Sequence, residues 1–363
     1  MKIVIAAWHL KDFNVGIGRY CRGLIAALGQ VDQGNEYHVL VTEAANRFPQ
    51  FKNVHYHVIR FPFFKRRVWE QVAPQLVGRY DMLHFPYDSS VAWKRGKFVV
   101  TIHDVKPLIF GTLRPRRGLN NCVERLLVPD RQKQADHVLT VSECSRRDIT
   151  ERLRFPAERI SVVYPGIDRD QFKPEFSAPS RSNSRPYILC VAGSDPTKNV
   201  ETLLDAFSQL PCELREAHDV VLVGDLRRRQ DVRDRVVRLG IAAQTKFAGV
   251  VDDAQLVSLY QHARVFVFPS RYEGFGFPVL EAMACGCPVI TSNASSLPEV
   301  VGDSALLADP SDCNGFVRHL AQVLADEELR RVLREKGLAR AAQFSWERTA
   351  RETLRVYERV MEA

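Results

Sequence analysis

The sequence predicts an α/β protein built from two doubly wound, Rossmann-like parallel sheets. Short apolar runs rich in β-branched residues alternate with amphipathic stretches of helical length along the whole chain of 363 residues. Such alternation is typical of parallel sheets whose strands are joined by helices. Near the middle, a segment rich in Ser and Pro interrupts the alternation. The length suffices for two cores of ordinary domain size.

Twelve segments predict strands, seven before the interruption and five after it. In order they are KIVIAAW, YHVLVT, VHYHVI, DMLHF, FVVTIHD, HVLTVS, ISVVYP, YILCVAG, DVVLVGD, KFAGV, RVFVFPS and PVITS. We expect a first domain over residues 1–175, a linker over 176–186 and a second domain over 187–344. Apolar and aromatic residues recur near helical spacing in 345–363, which predicts an amphipathic helix that packs back across the first domain.

The charge of the chain is unevenly distributed. The chain carries 51 Lys and Arg against 43 Asp and Glu, and residues 1–175 hold 28 of the former and 18 of the latter. A basic first half suggests an anionic partner, and a phospholipid surface, a phosphate-bearing acceptor and a nucleic acid all remain open on charge alone. No apolar run approaches the ~20 residues of a spanning helix, and the start of the chain shows no signal-peptide cleavage pattern. We therefore expect a cytoplasmic protein.

The segment PSRYEGFGFPVLEAMACGCPVITS predicts a strand, a glycine-containing loop and a helix. Gly274 and Gly276 let a ligand approach the main chain, and the amides around Phe275 and Gly276 begin a helix, where they favour phosphate. Carboxylates beside an anion site suit ligand hydroxyls, a sugar for Glu273 and a ribose for Glu281. Isolated glutamates are more often solvated charges, but the surrounding glycines and aromatic residues favour the binding interpretation.

A second segment, YILCVAGSDPTKNVETLLDAF, predicts another strand, loop and helix. Gly193 and Asn199 lie in this loop as candidate donor-binding residues, and Asn199 is also a candidate N-cap for the helix. Lys198 at a helix start opposes the helix dipole unless an anion is also bound there. A diphosphate would resolve this conflict, so Lys198 is a candidate phosphate ligand.

These two segments resemble those of the retaining GT-B glycosyltransferases of family 4, and the likeness extends over nearly the whole chain. The two glutamates, with seven residues between them, match the pair of that family. The resemblance implies that Glu273 contacts the donor sugar, that Glu281 binds the nucleotide ribose and that Lys198 stabilises the leaving diphosphate. Thr197 and Ser194 depart from the family pattern, since many members have arginine at these positions.

Two further strand ends resemble the parts of the family pocket that hold the base through main-chain contacts. They are VVLVGD, which ends near Gly224, and KFAGVV, which contains Val250. As isolated segments they are equally typical of any Rossmann-like sheet.

In the first half, NVGIGRYCRGLIAAL places Gly16 and Gly18 before an amphipathic helix. Cys21 replaces the third glycine of a G-x-G-x-x-G motif, so a dinucleotide site fits poorly. In the family this loop faces the cleft, which implies a cleft-lining role for Gly16, Gly18 and Arg19. A tight strand-to-helix turn is an equal alternative.

The strand FVVTIHD ends in His103 and Asp104. The resemblance implies that His103 contacts the donor sugar close to the reacting centre. Asp104 either orients the imidazole or caps the following segment.

The run RFPFFKRRVWEQ, from Arg60 to Trp69 and beyond, interleaves aromatic and basic residues. It suits a membrane interface, which would make the acceptor lipid-linked. A partly buried loop with solvated charges is an equal alternative.

Together these features predict a metal-independent glycosyltransferase that needs no cofactor beyond its nucleotide-sugar co-substrate. The family resemblance implies that the anomeric configuration is retained. GDP-mannose is the favoured donor and a UDP-hexose the alternative, while the acceptor is a lipid-linked or growing polysaccharide. A catalytically silent module that binds a sugar nucleotide or nucleic acid is the main competing hypothesis, although we expect no nucleic-acid partner. A nicotinamide-dependent oxidoreductase is disfavoured by the missing third glycine.

Overall fold

In the computed structural model, seven parallel strands form the first sheet in the order β3-β2-β1-β4-β5-β6-β7. The structure describes residues 1–12, 16–43, 48–61, 66–91, 93–111, 134–175, 185–227 and 229–363. The strands are β1 (Lys2–Ala6), β2 (Glu36–Val41), β3 (Val54–Val58), β4 (Met82–Phe85), β5 (Lys97–Ile102), β6 (His137–Thr140) and β7 (Ile160–Val162).

Six parallel strands form the second sheet in the order β10-β9-β8-β11-β12-β13. They are β8 (Tyr187–Val191), β9 (Asp219–Val223), β10 (Thr245–Gly249), β11 (Val265–Phe268), β12 (Val289–Ser292) and β13 (Leu306–Ala308). The predicted class, two doubly wound parallel sheets, is therefore confirmed. All twelve predicted strands are present, and the sequence analysis missed only β13 among the described strands.

Helices follow most of the strands. Those of the first half are α1 (Gly16–Val31), α2 (Arg66–Val72), α3 (Lys106–Ile109) and α4 (Glu143–Leu153). They continue with α5 (Val200–Ser208), α6 (Cys212–Ala217), α7 (Gln230–Arg238), α8 (Asp253–His262), α9 (Phe277–Ala284), α10 (Leu297–Val301), α11 (Cys313–Ala325), α12 (Glu327–Ala341) and α13 (Trp346–Glu362). Short 3-10 turns cover Trp8–Lys11, Ala73–Val77, Ala157–Arg159 and Pro196–Lys198. None of the helices in the described part of the chain is both long and apolar enough to cross a bilayer.

The chain divides into two compact units. The first contains Met1–Gly166 and Ser345–Ala363, and the second contains Ile167–Phe344. Helix α13 belongs to the first unit because its buried face packs on α1. Most of the predicted linker lies outside the described residues.

Each sheet reverses its strand order at one pair of neighbouring strands. The pair is β1 and β4 in the first sheet and β8 and β11 in the second, and both pairs are hydrogen-bonded neighbours. At such a switch point the two connections leave in opposite directions, so a crevice opens beyond the carboxyl ends of the strands. The loops that follow these four strands are the places where each sheet can hold a ligand.

Candidate functional site

The loop after β11 is shaped by glycine and serine residues. Gly276 has a φ of 116° at the N-cap position of α9, a conformation that favours glycine. The Glu273 amide donates to Ser295 Oγ at 2.9 Å. Ser296 Oγ lies 2.9 Å from the Glu273 carbonyl oxygen and 2.6 Å from that of Phe275. The loop main chain is therefore fixed before any ligand binds.

Lys198 and Glu273 meet at the switch point of the second sheet. Lys198 Nζ lies 2.8 Å from Glu273 Oε1 and 3.0 Å from Oε2, and the side chains are 21% and 13% exposed. Lys198 follows β8 and Glu273 follows β11, so the pair joins the two loops that border the crevice. Nζ also lies 4.9 Å from the centroid of the Phe268 ring. The site thus brings a cation and an anion together in a partly desolvated place.

The Glu273 carboxylate has a further partner, Ser270. Its hydroxyl, which is fully buried, donates to Glu273 Oε1 at 2.6 Å. A hydrogen bond to a carboxylate is stronger and more directional than one between neutral groups. Ser270 therefore orients the carboxylate independently of Lys198.

Asn199 stands at the N-cap position of α5 with a φ of 54°. The predicted N-cap position is confirmed, although the side chain makes no capping bond to the helix. Instead Nδ2 donates to the carbonyl oxygens of Pro269 at 2.9 Å and Pro310 at 2.8 Å, and Thr202 Oγ1 lies 3.1 Å from Oδ1. The buried amide thus ties the Lys198 loop to the loop after β11.

Glu281 lies on α9 and is only 3% exposed, so it is not a solvated helix residue. The Tyr260 hydroxyl of α8 donates to Glu281 Oε2 at 3.1 Å. A carboxylate is costly to bury and needs such partners. The second glutamate of the pair is therefore held in place by the neighbouring helix.

Three predicted donor residues lie at the ends of β8, β9 and β10. Gly224 has a φ of 123°, and a Cβ there would lie 2.3 Å from the Ala192 carbonyl oxygen, so only glycine fits. A Cβ on Gly193 would meet nothing within 4 Å, and Val250 is 64% exposed. These strand ends leave open space beside the Lys198 loop.

The loop residues Gly274, Phe275 and Gly276 are buried, and the Phe275 ring packs against Phe277 and Phe344 at centroid distances of 5.3 and 5.8 Å. The phenyl ring therefore anchors the loop. Any ligand contact at this position falls to the main chain.

In the first unit, His103 follows β5 and its Nε2 lies 3.0 Å from the Pro86 carbonyl oxygen. Since a carbonyl only accepts, Nε2 carries the proton, and Nδ1 is the acceptor of the neutral ring. Burial lowers the pKa of His103, which favours that neutral form. Asp104 Oδ1 accepts from the Lys106 amide at 2.9 Å, the capping role among its two predicted alternatives.

Helix α1 begins at Gly16, and Arg19 is half-buried on its first turn. A Cβ on Gly18 would lie 1.9 Å from the Asp12 carbonyl oxygen. The need for glycine at this position is thus explained by its close approach to the main chain of Asp12, as the alternative of a tight strand-to-helix turn requires.

Part of the basic, aromatic run, residues 62–65, lies outside the described residues. Trp69 is only 1% exposed and its Nε1 donates to the Ile59 carbonyl at 2.8 Å. Of the two alternatives for this run, burial therefore applies to Trp69, whose indole is part of the core and lies on helix α2. Arg66 pairs with Glu70 at 3.0 Å.

Sequence reasoning missed the residues that orient the two glutamates. Ser270, Ser295, Ser296 and Tyr260 carry this function. Ser270 could have been found from its closeness to Glu273 in the sequence. The other three residues lie outside the segment that carries the two glutamates, so the sequence gives no signal for them.

The chain matches two family models, one described as Glycosyltransferase Family 4 over residues 15–171 and one as Glycosyl transferases group 1 over residues 172–340. A relative from Escherichia coli, the O-antigen chain mannosyltransferase B, is 31% identical over 99% of this chain and 100% of its own length.

Two solved structures share the fold. Sucrose-phosphate synthase from Thermosynechococcus elongatus superimposes with a TM-score of 0.77 at 22% identity and covers 100% of this chain and 99% of its own. Anabaena Alr3699/HepE, solved in complex with UDP-glucose, superimposes with a TM-score of 0.72 at 19% identity over 100% of both chains. With its two parallel sheets the protein has the GT-B fold, and from its likeness to the E. coli relative over nearly its full length, the chain belongs to glycosyltransferase family 4.

Proposed function

We propose that this glycosyltransferase moves a hexose, mannose in first place, from a nucleotide-diphosphate sugar to an acceptor hydroxyl with retention of configuration. The observation that carries the proposal is the contact between Lys198 and Glu273 across the switch point of the second sheet, with Nζ 2.8 Å from Oε1. A phosphate-binding cation and a hydroxyl-binding carboxylate are the two groups that a sugar diphosphate requires side by side.

The main electrostatic demand of the reaction is the negative charge that develops on the leaving diphosphate. Lys198 and the main-chain amides of Phe275 and Gly276 at the start of α9 meet that demand without a metal ion. In the structure Glu273 neutralises Lys198. When the diphosphate binds, the ammonium turns to its oxygens, and the carboxylate accepts hydrogen bonds from the sugar hydroxyls.

In this reaction the bond between the anomeric carbon and the diphosphate oxygen breaks, and a bond from the acceptor oxygen to the same carbon forms. The electron pair of the broken bond leaves on the diphosphate, and its oxygen takes the acceptor proton. Retention of configuration and this proton path follow the family resemblance.

The remaining donor contacts follow from the placement of the residues. Glu281 binds the ribose with the carboxylate that Tyr260 holds. Gly193, Gly224 and Val250 border the open space for the base and phosphates, and Gly274 lets the donor approach the main chain. Asn199 acts by fixing the Lys198 loop.

Mannose is favoured by the E. coli relative that is named a mannosyltransferase. A UDP-hexose remains the alternative donor, since the structurally similar Anabaena protein was solved with UDP-glucose. A panel of GDP, UDP and ADP in a thermal-shift assay separates them, because a ligand at a hundredfold excess over Kd adds about 2.7 kcal/mol of stability. Stabilisation by UDP but not by GDP would rule out GDP-mannose as the donor and favour a UDP-hexose.

We assign residues 1–175 to the acceptor and 187–344 to the donor. His103, Asp104, Gly16, Gly18 and Arg19 belong to the acceptor half, where the neutral His103 ring offers Nδ1 to a hydroxyl. The acceptor is a glycan, lipid-linked or a growing polysaccharide, in keeping with an O-antigen mannosyltransferase as relative. The basic charge of this half favours work at an anionic membrane surface on the cytoplasmic side.

The test is release of nucleotide diphosphate from GDP-mannose and UDP-glucose by the wild type and by Lys198→Ala and Glu273→Ala. Lys198→Ala removes the cation that stabilises the leaving diphosphate, and Glu273→Ala removes a ligand of the donor sugar, so each should slow release by about 100-fold or more. Lys336→Ala is the matched control, because its ammonium forms a surface pair with Asp303 at 2.7 Å. Turnover that is unchanged in both site variants would remove the assignment, and donor binding without any turnover would favour the silent binding module.

A further inference from the structure

A second polar cluster occupies the switch point of the first sheet. His9 and Asp12 follow β1, and Tyr87 follows β4, the neighbouring strand at which the order reverses. Arg66 and Glu70 reach the same place from α2. Parallel sheets bind ligands at this position, as the second sheet does in the proposed donor site.

The cluster is a chain of short polar contacts. Asp12 Oδ2 lies 2.7 Å from His9 Nδ1, and Arg66 Nη1 lies 2.9 Å from His9 Nε2. Arg66 Nε lies 3.0 Å from Glu70 Oε1. The edge of the His9 ring meets the Tyr87 ring at a centroid distance of 4.7 Å and an interplanar angle of 88°.

The protonation state of His9 follows from its partners. A guanidinium only donates, so Nε2 accepts from Arg66 and the proton resides on Nδ1, which donates to Asp12. Burial is the main cause that lowers the pKa of His9, in agreement with a neutral ring. His9 thereby fixes the orientation of both the Asp12 carboxylate and the Arg66 guanidinium.

Exposure and charge define the ligand. The Asp12 and Arg66 side chains are each 35% exposed. The Glu70 side chain is only 4% exposed, and its buried carboxylate holds the Arg66 guanidinium in place. The cluster presents one acceptor and one donor group with no excess of positive charge, which suits hydroxyl groups and does not suit phosphate. The Tyr87 ring beneath Arg66, at 5.5 Å, stiffens the guanidinium further.

We propose that Asp12 and Arg66, oriented by His9, form the recognition site for the neutral sugar at the end of the glycan acceptor. This inference rests on the proposed function, of which it names the acceptor subsite. Asp12 accepts and Arg66 donates hydrogen bonds to neighbouring hydroxyls of one sugar ring.

The test measures acceptor and donor separately in Arg66→Gln and Asp12→Asn. Each variant removes a charge-assisted hydrogen bond, so the KM for a neutral oligosaccharide acceptor should rise about tenfold or more. Donor hydrolysis in the absence of acceptor should stay within about twofold of wild type. Arg79→Gln, a change at an exposed arginine of the same unit, should leave both the acceptor KM and the rate of donor hydrolysis at wild-type values. Asp12→Asn keeps an oxygen that accepts the hydrogen bond from His9. It therefore still tests the proposal if Arg66→Gln fails to fold.

A binding titration with mannotriose, maltotriose and a sugar phosphate gives a readout independent of turnover. We expect one of the neutral oligosaccharides to bind the wild type and to bind Arg66→Gln about tenfold more weakly. Binding of none of them, equal binding by wild type and variants, or a preference for the sugar phosphate would each overturn the subsite. An enzyme that binds the oligosaccharide in this way yet never cleaves a nucleotide sugar would refute the proposed function while the subsite stands.

Discussion

Ser270 shows how much of the candidate site depends on single hydroxyl groups. The side chain is fully buried and bonds Glu273 Oε1 at 2.6 Å, while Lys198 contacts both carboxylate oxygens. Without Ser270 the carboxylate could follow Lys198 when that ammonium turns to a phosphate. The hydroxyl therefore keeps Glu273 in place at the moment when its ion pair is exchanged.

We expect Ser270→Ala to lower kcat for nucleotide release about tenfold, because one hydrogen bond to a charged group is lost. The donor KM should change less, since the lysine and the amides remain. Ser270→Thr keeps the hydroxyl and should recover part of the rate, and Ser311→Ala, at a surface serine, is the control. Steady-state kinetics with both donors checks this, and a wild-type kcat in Ser270→Ala would contradict it.

The same scale explains which site residues the sequence could predict. Lys198, Glu273 and Glu281 lie in continuous motifs, so spacing and residue type point to them. Asn199 was predicted as a cap because sequence shows its position before a helix but not its φ of 54°, which turns the side chain toward Pro269 and Pro310. The Asp12–His9–Arg66 cluster has no motif, because Arg66 comes from α2 and is separated from His9 by 57 positions in the sequence.

At the scale of elements, the edge strand β3 and its neighbour β2 carry three neighbouring histidines. His38 Nδ1 lies 2.8 Å from His57 Nε2, and the rings of His38 and His55 lie 5.2 Å apart. Burial, followed by Lys2 and the two other histidines, lowers the pKa of His38 to about 4, while Glu36 opposes this. Burial likewise lowers the pKa of His57.

These shifts predict an acid-sensitive edge. Between pH 6.5 and about 4, His38 binds a proton in the unfolded chain but not in the folded protein. The free energy of unfolding therefore falls as the pH falls through that window. The loss reaches about 3 kcal/mol at most for His38. Hydrogen-exchange protection of β2 and β3 amides should drop from pH 7 to pH 4.5, and less so in His38→Gln. His262→Gln, at an exposed histidine of the second unit, is the control. Equal losses in all three proteins would exclude this cause.

The elements themselves were largely predictable, because short runs rich in apolar and β-branched residues alternate with amphipathic stretches of helical length. Strand β13 has only three residues, Leu306–Ala308, and no longer apolar run marks it, whereas the equally short β7 lies in the run ISVVYP. For Trp69 the sequence left a membrane interface and a partly buried loop as equal alternatives. Its neighbours Arg66 and Arg67 suggested an interface, but the helical spacing of α2 turns the indole inward against Trp8.

At the scale of the whole molecule, the two units differ in how the chain builds them. Helix α13 closes the first unit, and the Tyr357 hydroxyl lies 2.6 Å from His84 Nδ1 inside its core. The His84 Nε2 in turn lies 2.9 Å from Thr101 Oγ1. A buried polar chain thus joins the last helix to β4 and β5.

We expect Tyr357→Ala to destabilise the first unit by about 3–5 kcal/mol, through the cavity and the unpaired His84. Tyr357→Phe keeps the ring and should cost about 1–3 kcal/mol. Nucleotide should still stabilise the second unit in both variants. Differential scanning calorimetry with and without nucleotide checks this, and loss of the nucleotide effect in Tyr357→Phe would show that the units are not energetically separate.

The membership of α13 in the first unit also sets an order of events during synthesis. The second unit is one uninterrupted stretch, Ile167–Phe344, whereas the first needs its final residues, Ser345–Ala363, to cover α1. The apolar face of α1 therefore stays uncovered during synthesis until residues 345–363 have been made. The first unit can thus be completed only after the whole second unit has been synthesised, and its uncovered face is the one that nascent-chain chaperones would meet.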